Sequence, residues 1–249
     1  MTLSIDSLTE RDIAKTIDHS LLRPELDDAF VEDGCRLAAE YDVASVCVRP
    51  ADVGRARAIL DGTDVKVGTV VGFPHGNHRT DVKVLETQRA LADGATEIDM
   101  VIQIGALKAG RDADVQSDIA AVVDVAHAGG AIVKVIFENA YLTDDEKIRA
   151  CRLTEAAGAD FVKTSTGFAP SGATHDDLRL MREHTSLPTQ VKAAGGVRTL
   201  DALLEVMALG TTRIGATATK AIIDDFRARK AGTTSVAPVA AAAASDGGY

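Results

Sequence analysis

Apolar positions along this chain switch between two spacings. Leu200, Leu203, Leu204 and Met207 recur every three or four residues, which gives a helix one face to bury. Between such stretches lie short runs of Val and Ile, too short for helices. One junction recurs: an amphipathic helix, a glycine, then a short strand. Leu91-Ala92-Asp93-Gly94 precedes Glu97-Ile98-Asp99-Met100-Val101, and His127-Ala128-Gly129-Gly130 precedes Ile132-Val133-Lys134-Val135-Ile136. Ala156-Ala157-Gly158 leads into Phe161-Val162-Lys163, and Ala208-Leu209-Gly210 into Arg213-Ile214-Gly215. A glycine just past a helix adopts the left-handed conformation that closes the helix and turns the chain. Helix starts are marked as well. Ser7-Leu8-Thr9-Glu10 and Thr143-Asp144-Asp145-Glu146 read as capping boxes, and Thr80, Thr174 and Thr199 as N-caps. The pattern predicts eight strands, at residues 17–20, 43–48, 65–72, 97–102, 132–137, 161–164, 189–193 and 212–215.

Strands alternating with helices imply a parallel sheet with right-handed crossovers. Eight such units close an α/β TIM (β/α)8 barrel, and 249 residues suit one barrel domain. The alternative, a doubly wound open sheet, usually carries a G-x-G-x-x-G turn after an early strand, and none occurs here. After Lys230 the composition changes to Ala, Gly, Thr and Ser, with too little apolar bulk to pack. The expected organisation is a barrel domain over residues 1–230 and a flexible tail over 231–249, ending in Tyr249.

Hydrophobic residues make up 46% of the chain and aromatics 4%, with no Trp, so Val, Ile, Leu and Ala must build the core. A net charge of -10 leaves no excess of cations for phosphate backbones and argues against nucleic-acid binding. Cys35, Cys47 and Cys151 are odd in number and contain no CxxC pair, which fits a reducing compartment. The first six residues have no basic region or apolar run, and no stretch is apolar enough to span a bilayer. The expectation is a soluble cytoplasmic protein with no membrane partner.

Barrel chemistry sits at the C-terminal ends of the strands. Those ends carry Asp18, Cys47, Asp99, Lys134, Glu138, Lys163 and Lys192, in positions that otherwise favour Val and Ile. Lys163 and Lys192 fall on the sixth and seventh strands, about 4.8 Å apart if neighbours. Burial and a second cation both lower a lysine pKa, and a neutral amine is what Schiff-base chemistry on a carbonyl requires. The alternative is that each lysine forms a structural ion pair, and Lys134 carries the same strand pattern. Asp99 reads as an acid/base working through water or as a salt-bridged core residue. Glu138 reads as a second acid/base or, preferably, as the partner that organises Lys134. Gly195-Gly196 and Gly215-Ala216-Thr217 follow the last two strands, where barrels often bind phosphate at a helix N-terminus. Ordinary tight turns explain the same glycines. Thr217 is the expected cap of the last helix, and residues 167–172 are a lid candidate. His75 and His78 suggest a metal but lack a third neighbouring His or Cys, so no metal site is assigned. Cys47 is read as a buried small hydrophobe.

Taken together, these segments resemble the deoxyribose-phosphate aldolases, a class I aldolase family. The resemblance runs from Ile17 to Gly215. It is carried by Ile17-Asp18-His19-Ser20-Leu21-Leu22, Gly72-Phe73-Pro74-His75-Gly76, Glu97-Ile98-Asp99-Met100-Val101, Lys134-Val135-Ile136-Phe137-Glu138, Lys163-Thr164-Ser165-Thr166-Gly167 and Lys192-Ala193-Ala194-Gly195-Gly196. It implies a TIM barrel and reversible cleavage of 2-deoxy-D-ribose 5-phosphate to D-glyceraldehyde 3-phosphate and acetaldehyde, with no cofactor. It gives Lys163 the Schiff base, Lys192 its tuning and proton movement, and Asp99 acid/base work with Lys192 through water. It gives Tyr249, at the end of the tail, assistance in proton transfer at the enamine carbon, the alternative being an idle tyrosine on a disordered tail. The expected substrate and phosphate contacts are Gly167, Gly195, Gly196, Gly215 and Thr217, and the resemblance puts the family's phosphate turn at Gly215-Ala216-Thr217-Ala218. A homo-oligomer, a dimer first, is expected.

The chain departs from the family pattern at three points. Ser20 stands where the family usually has Thr, and Gln103 where it has Asn. The turn Gly215-Ala216-Thr217-Ala218 is poorer in serine. Rival readings are a phosphosugar isomerase or epimerase using Asp99 and Glu138, a metal-dependent aldolase using His75 and His78, and a phosphosugar-binding barrel without catalysis.

Overall fold

The computed structural model of the chain describes residues 4–233. In chain order the elements are α1 (Glu10–Ala14), β1 (Ile17–Leu21), α2 (Asp28–Glu40), β2 (Ser45–Val48), α3 (Val53–Ile59), β3 (Lys66–Val71), α4 (Thr80–Ala92), β4 (Glu97–Val101), α5 (Ile104–Lys108) and α6 (Asp112–Ala128). They continue with β5 (Ile132–Ile136), α7 (Asp144–Ala156), β6 (Phe161–Lys163), α8 (His175–Glu183), β7 (Gln190–Ala194), α9 (Leu200–Ala208), β8 (Thr211–Ala216) and α10 (Thr219–Lys230). The eight strands pair in sequence order, all parallel, and β8 closes on β1. All eight expected strands are present within a few residues of the predicted bounds.

The strands are buried on both faces, as an all-parallel barrel demands. Outward residues such as Ile98, Met100, Val133, Val135, Val162 and Val191 join one apolar core with the helices. The inward positions of β1, β4, β5, β6, β7 and β8 instead carry a cluster of charged residues, which is the candidate site.

Local capping follows the sequence with three corrections. The first capping box is centred on Thr9 and Asp12, since Ser7 belongs to a short 3-10 turn before α1. The second, Thr143 with Glu146, is present at α7, and Thr174 and Thr199 cap α8 and α9. Thr80 opens α4 without capping it, because its hydroxyl donates to Asp118 Oδ1 at 2.8 Å. Thr217 does not cap α10. It is exposed, and Ala218 occupies the cap position. Among the described residues no helix is long and apolar enough to cross a membrane. Most of the proposed tail, including Tyr249, lies outside the described residues.

Candidate active site

Inside the barrel, side chains two apart on one strand face the same way. Glu97 and Asp99 therefore both point inward from β4, and Lys134, paired with Asp99 across the β4–β5 ladder, points in beside them. Lys134 Nζ donates to Glu97 Oε2 at 2.6 Å and to Asp99 Oδ1 at 2.8 Å, and lies 3.4 Å from Asp18 Oδ2. Arg213 enters from β8 and bonds Asp18 Oδ1 through Nε at 2.7 Å, and Glu97 Oε2 through Nη2 at 2.8 Å. Its guanidinium also sits 6.0 Å from the Phe161 ring centre.

Lys163 and Lys192 are direct neighbours in the β6–β7 register. Both ammonium groups donate to one oxygen, Asp99 Oδ2, each at 2.8 Å. Lys192 Nζ also lies 2.5 Å from Asp18 Oδ2, as an ion-pair contact. Gly215 adjoins this pair: a Cβ on it would stand in ordinary contact, 3.8 Å from Lys192 Cε and 3.5 Å from Ala194 Cβ. The two lysines, with 3% and 1% of their side-chain surface exposed, are thus held by carboxylates and not by water.

Burial disfavours each of these charges, but the opposite charges around them outweigh it. Asp99 is held well below the usual carboxylate range against its burial by Lys134, Lys163 and Lys192. Asp18 is likewise driven down against its burial, by Arg213, Lys134 and Lys192. Lys134 goes up, since Asp18, Asp99 and Glu97 outweigh its burial. Lys163 also goes up: burial pulls it down, and Asp99 more than reverses that. This corrects the expectation of an amine already neutral in the resting protein. Proximity to Lys192 does not make Lys163 neutral, because the shared carboxylate lies between them.

The cluster still contains the means to release one proton. Its cations are Lys134, Lys163, Lys192 and Arg213, and its anions are Asp18, Glu97 and Asp99, so cations exceed anions by one. Lys134 contacts three of the carboxylates, while Lys192 and Arg213 contact two each. Lys163 contacts Asp99 alone. Deprotonating Lys163 therefore breaks the fewest pairs and leaves the cluster neutral.

Glu138 does not organise Lys134. It sits past β5 in a left-handed conformation and accepts hydrogen bonds from the Thr166 amide at 3.2 and 3.3 Å, and from the Thr166 hydroxyl. Burial raises its pKa, against the pull of Thr166, Lys163 and His75. With His75, Asn77, Tyr141, Thr166 and Phe168 it lines a cavity of about 300 Å³. Cys47 packs with Leu22, Val70 and Phe73, and burial pushes its thiol up to about 11. His78 lies 3.4 Å from Glu86 rather than beside His75 in a ligand set. Among the described residues no group of three His, Cys, Asp or Glu side chains is placed to hold a metal.

Gly167, Gly195 and Gly196 all have positive φ, at 89°, 79° and 97°. The lid candidate is fastened at its C-terminal end: the next residue, Ala173, donates its N–H to the carbonyls of Ala194 and Gly195 at 3.0 and 3.1 Å. A Cβ on Gly172 would come within 2.5 Å of Gly195 O, so the two loops touch backbone to backbone. Gly215 lies within β8 and not in the turn after it. Beyond that turn, His19 Nδ1 pairs with Thr219 Oγ1 at 2.8 Å, tying β1 to the first residue of α10. Gln103, the unusual amide, faces away from the lysines and donates to Asp118 Oδ1 at 3.1 Å. Sequence reasoning missed Glu97, Arg213 and the His19–Thr219 link. A charged residue within a short apolar strand was the only signal available for the first two.

The chain matches known proteins over most of its length. Residues 13–232 match the family model described as DeoC/LacD family aldolase. The deoxyribose-phosphate aldolase of Rhodopirellula baltica is 49% identical over 216 residues, covering 87% of this chain and 90% of that one. That of Alkaliphilus oremlandii is 51% identical over 220 residues, covering 88% of this chain and 99% of that one. Among solved structures, a putative deoxyribose-phosphate aldolase from Coccidioides immitis superposes with a TM-score of 0.85 at 42% identity, covering 88% of this chain and 87% of that one.

Proposed function

We propose a set of residue roles from one premise: the chain belongs to the DeoC/LacD family of aldolases. It is a class I aldehyde-lyase acting on a phosphosugar. The reaction is the reversible cleavage of 2-deoxy-D-ribose 5-phosphate to D-glyceraldehyde 3-phosphate and acetaldehyde, a step of deoxyribose phosphate catabolism, through a lysine Schiff base.

Lys163 is the nucleophile. Having shed the surplus proton of the cluster, its amine adds to the C1 aldehyde of the open-chain sugar. Water leaves, and a protonated imine remains. A base takes the C3 hydroxyl proton, and the C3–O bond becomes the carbonyl of glyceraldehyde 3-phosphate. The electrons of the C2–C3 bond run into the imine and give an enamine. A proton added at C2 and hydrolysis release acetaldehyde and restore the amine.

Asp99 and Lys192, through a bridging water, take the C3 proton and later return it. Two features suit Asp99 to this. It is ionised, and it touches both lysines, so a proton moves among the three without crossing open solvent. The phosphate lies against the loops after β6, β7 and β8. Gly167, Gly195 and Gly196 offer backbone amides and Thr217 a hydroxyl, with Gly215 beside Lys192 near the end of β8. Tyr249 is assigned proton transfer at the enamine carbon on the strength of the family resemblance alone. The catalytic body is residues 1–230. A cytoplasmic homo-oligomer, a dimer first, completes the proposal. The three free buried cysteines suit a reducing compartment.

The observation that carries this reading is the sharing of Asp99 Oδ2 by Lys163 and Lys192. The test is reduction with borohydride in the presence of substrate, followed by peptide mapping. A two-carbon adduct is expected on Lys163 and none in Lys163→Arg. An adduct on Lys192, or full activity in Lys163→Arg, overturns the assignment.

A further inference from the structure

Glu138 combines three costs that a folded chain rarely accepts together. Its backbone is left-handed, at φ 58° and ψ 66°, a region that is uncommon for a residue with a side chain. Its carboxylate is buried. That carboxylate is spent on a single residue, Thr166, three positions beyond Lys163.

The strain is imposed from both sides. Phe137 N–H donates to Lys163 O at 3.0 Å, and Asn139 N–H donates to Thr164 O at 3.0 Å. The chain before and after Glu138 is therefore fastened to the end of β6, and Glu138 must bend between the two fastenings. The bend carries the carboxylate past the strand end to the amide and hydroxyl of Thr166. From there the order continues. Thr166 Oγ1 accepts the Phe168 N–H at 3.0 Å, and the Phe168 ring stands edge-on to Phe73, with centres 5.4 Å apart at 90°. Glu138 thus connects the β5 end to the turn after Lys163, and through it to the loop after β3, around the mouth where its cavity opens.

We propose that Glu138 is a positioning residue for Lys163: by holding the Thr166–Phe168 turn, it fixes the wall of the mouth against which the carbonyl of the substrate is presented to the amine. It takes no proton and touches no reacting atom. Strain retained at an active site is consistent with such a role. A buried anchor that served stability alone would be matched by any residue that relaxed the backbone and filled the space. The inference rests on Lys163 being the nucleophile.

Three variants separate tether from strain. Glu138→Gln keeps the shape and can accept the Thr166 amide through Oε1 while its NH₂ donates to the hydroxyl oxygen. Glu138→Ala removes the tether and keeps the strain. Glu138→Gly removes the tether and relieves the strain. Each is measured for kcat, KM, melting temperature and the rate of borohydride-dependent adduct formation on Lys163. Glu138→Gln is expected within about threefold of the parent in all of them. Glu138→Ala and Glu138→Gly are expected to lose roughly 10- to 100-fold in kcat and in adduct rate, with KM changed less than threefold, whichever way their melting temperatures move. If Glu138→Gly forms the adduct at the parental rate with unchanged kcat, Glu138 is an anchor only and the proposal is overturned. Should both small variants fail to fold, Thr166→Val carries the test: the same kcat loss supports the proposal, and an unchanged kcat overturns it. An absent adduct in the parent protein would instead strike at Lys163 itself, so the two failures are distinguishable.

Discussion

Lys163 and Lys192 meet at one oxygen, Asp99 Oδ2, with each ammonium 2.8 Å away. The contact makes Asp99 the holder of the Lys163 charge and, in the proposed mechanism, the ionised base for the C3 hydroxyl once the surplus proton has left the cluster. These two functions pull in opposite directions in a variant without the carboxylate.

Asp99→Asn should therefore separate them. Burial alone pulls the Lys163 pKa down, and Asp99 is the charge that reverses it. Without that charge, Lys163 is neutral at lower pH. Trapping of acetaldehyde on Lys163 with cyanoborohydride should reach half its maximum at least one pH unit lower than in the parent. Cleavage of the sugar phosphate should fall about 100-fold or more, since the C3 hydroxyl has lost its base. A trapping midpoint that stays in place would show that Asp99 does not govern the amine.

Lys192→Met should move the same profile the other way. Asp99 Oδ2 then serves Lys163 alone, and the ammonium is held more tightly. At pH 7 kcat/KM should fall by about 100-fold. Part of that loss should return as pH rises, because the fraction of neutral Lys163 grows tenfold for each pH unit below its pKa. The pH dependence of kcat/KM in the variant, compared with the parent, is the measurement. A flat profile would place the role of Lys192 elsewhere than in the charge balance.

Much of this was readable from the chain, and the limit has a physical origin. The strands were legible because each Gly–strand junction is local chemistry. The adjacency of Lys163 and Lys192 followed from counting strands, since consecutive strands in a right-handed barrel are neighbours. The charge cluster was not legible, because Glu97 and Arg213 meet across the interior from strands more than a hundred residues apart. Glu138 reads from the sequence as the partner of Lys134, four residues before it. Four residues of extended strand span about 13 Å, which takes the two side chains to different depths. The left-handed bend then turned Glu138 toward Thr166, and no sequence period announces such a bend. Thr217 failed as a cap because β8 runs on to Ala216 and the helix begins only at Thr219.

Lys134 should prove structural. It neutralises Glu97 and Asp99 and approaches Asp18, with 1% of its side chain exposed. Lys134→Met takes a contact from each of three buried carboxylates and leaves Glu97 with Arg213 alone. The expected loss of stability is about 3–5 kcal/mol, read from the urea midpoint at pH 7. The loss should shrink in Lys134→Met combined with Glu97→Gln, because the carboxylate left with one partner is then no longer charged. Equal losses in the single and double variants would mean that packing, and not charge, is what Lys134 provides.

His19 gives the fold a pH dependence of its own. Its imidazole is buried against Thr219, and burial lowers its pKa to about 4. In the unfolded chain the value is about 6.5. Between these values the unfolded chain binds a proton that the native chain refuses, so acid favours unfolding there. Stability contributed by His19 is thus full above about pH 6.5 and declines as pH falls toward 4, by about 3 kcal/mol in all. Asp18 and Asp99 act in the same direction but in a lower window. Their native pKa values are depressed, so their contribution is present above the unfolded carboxylate value of about 4 and is lost only below it. The two windows are therefore separable. Urea midpoints of the parent should fall steadily from pH 6.5 to pH 4.5, and His19→Asn, which can still accept the Thr219 hydroxyl, should flatten that slope. If the variant keeps the parental slope, the pH dependence belongs to other groups and the imidazole is not held neutral by its burial.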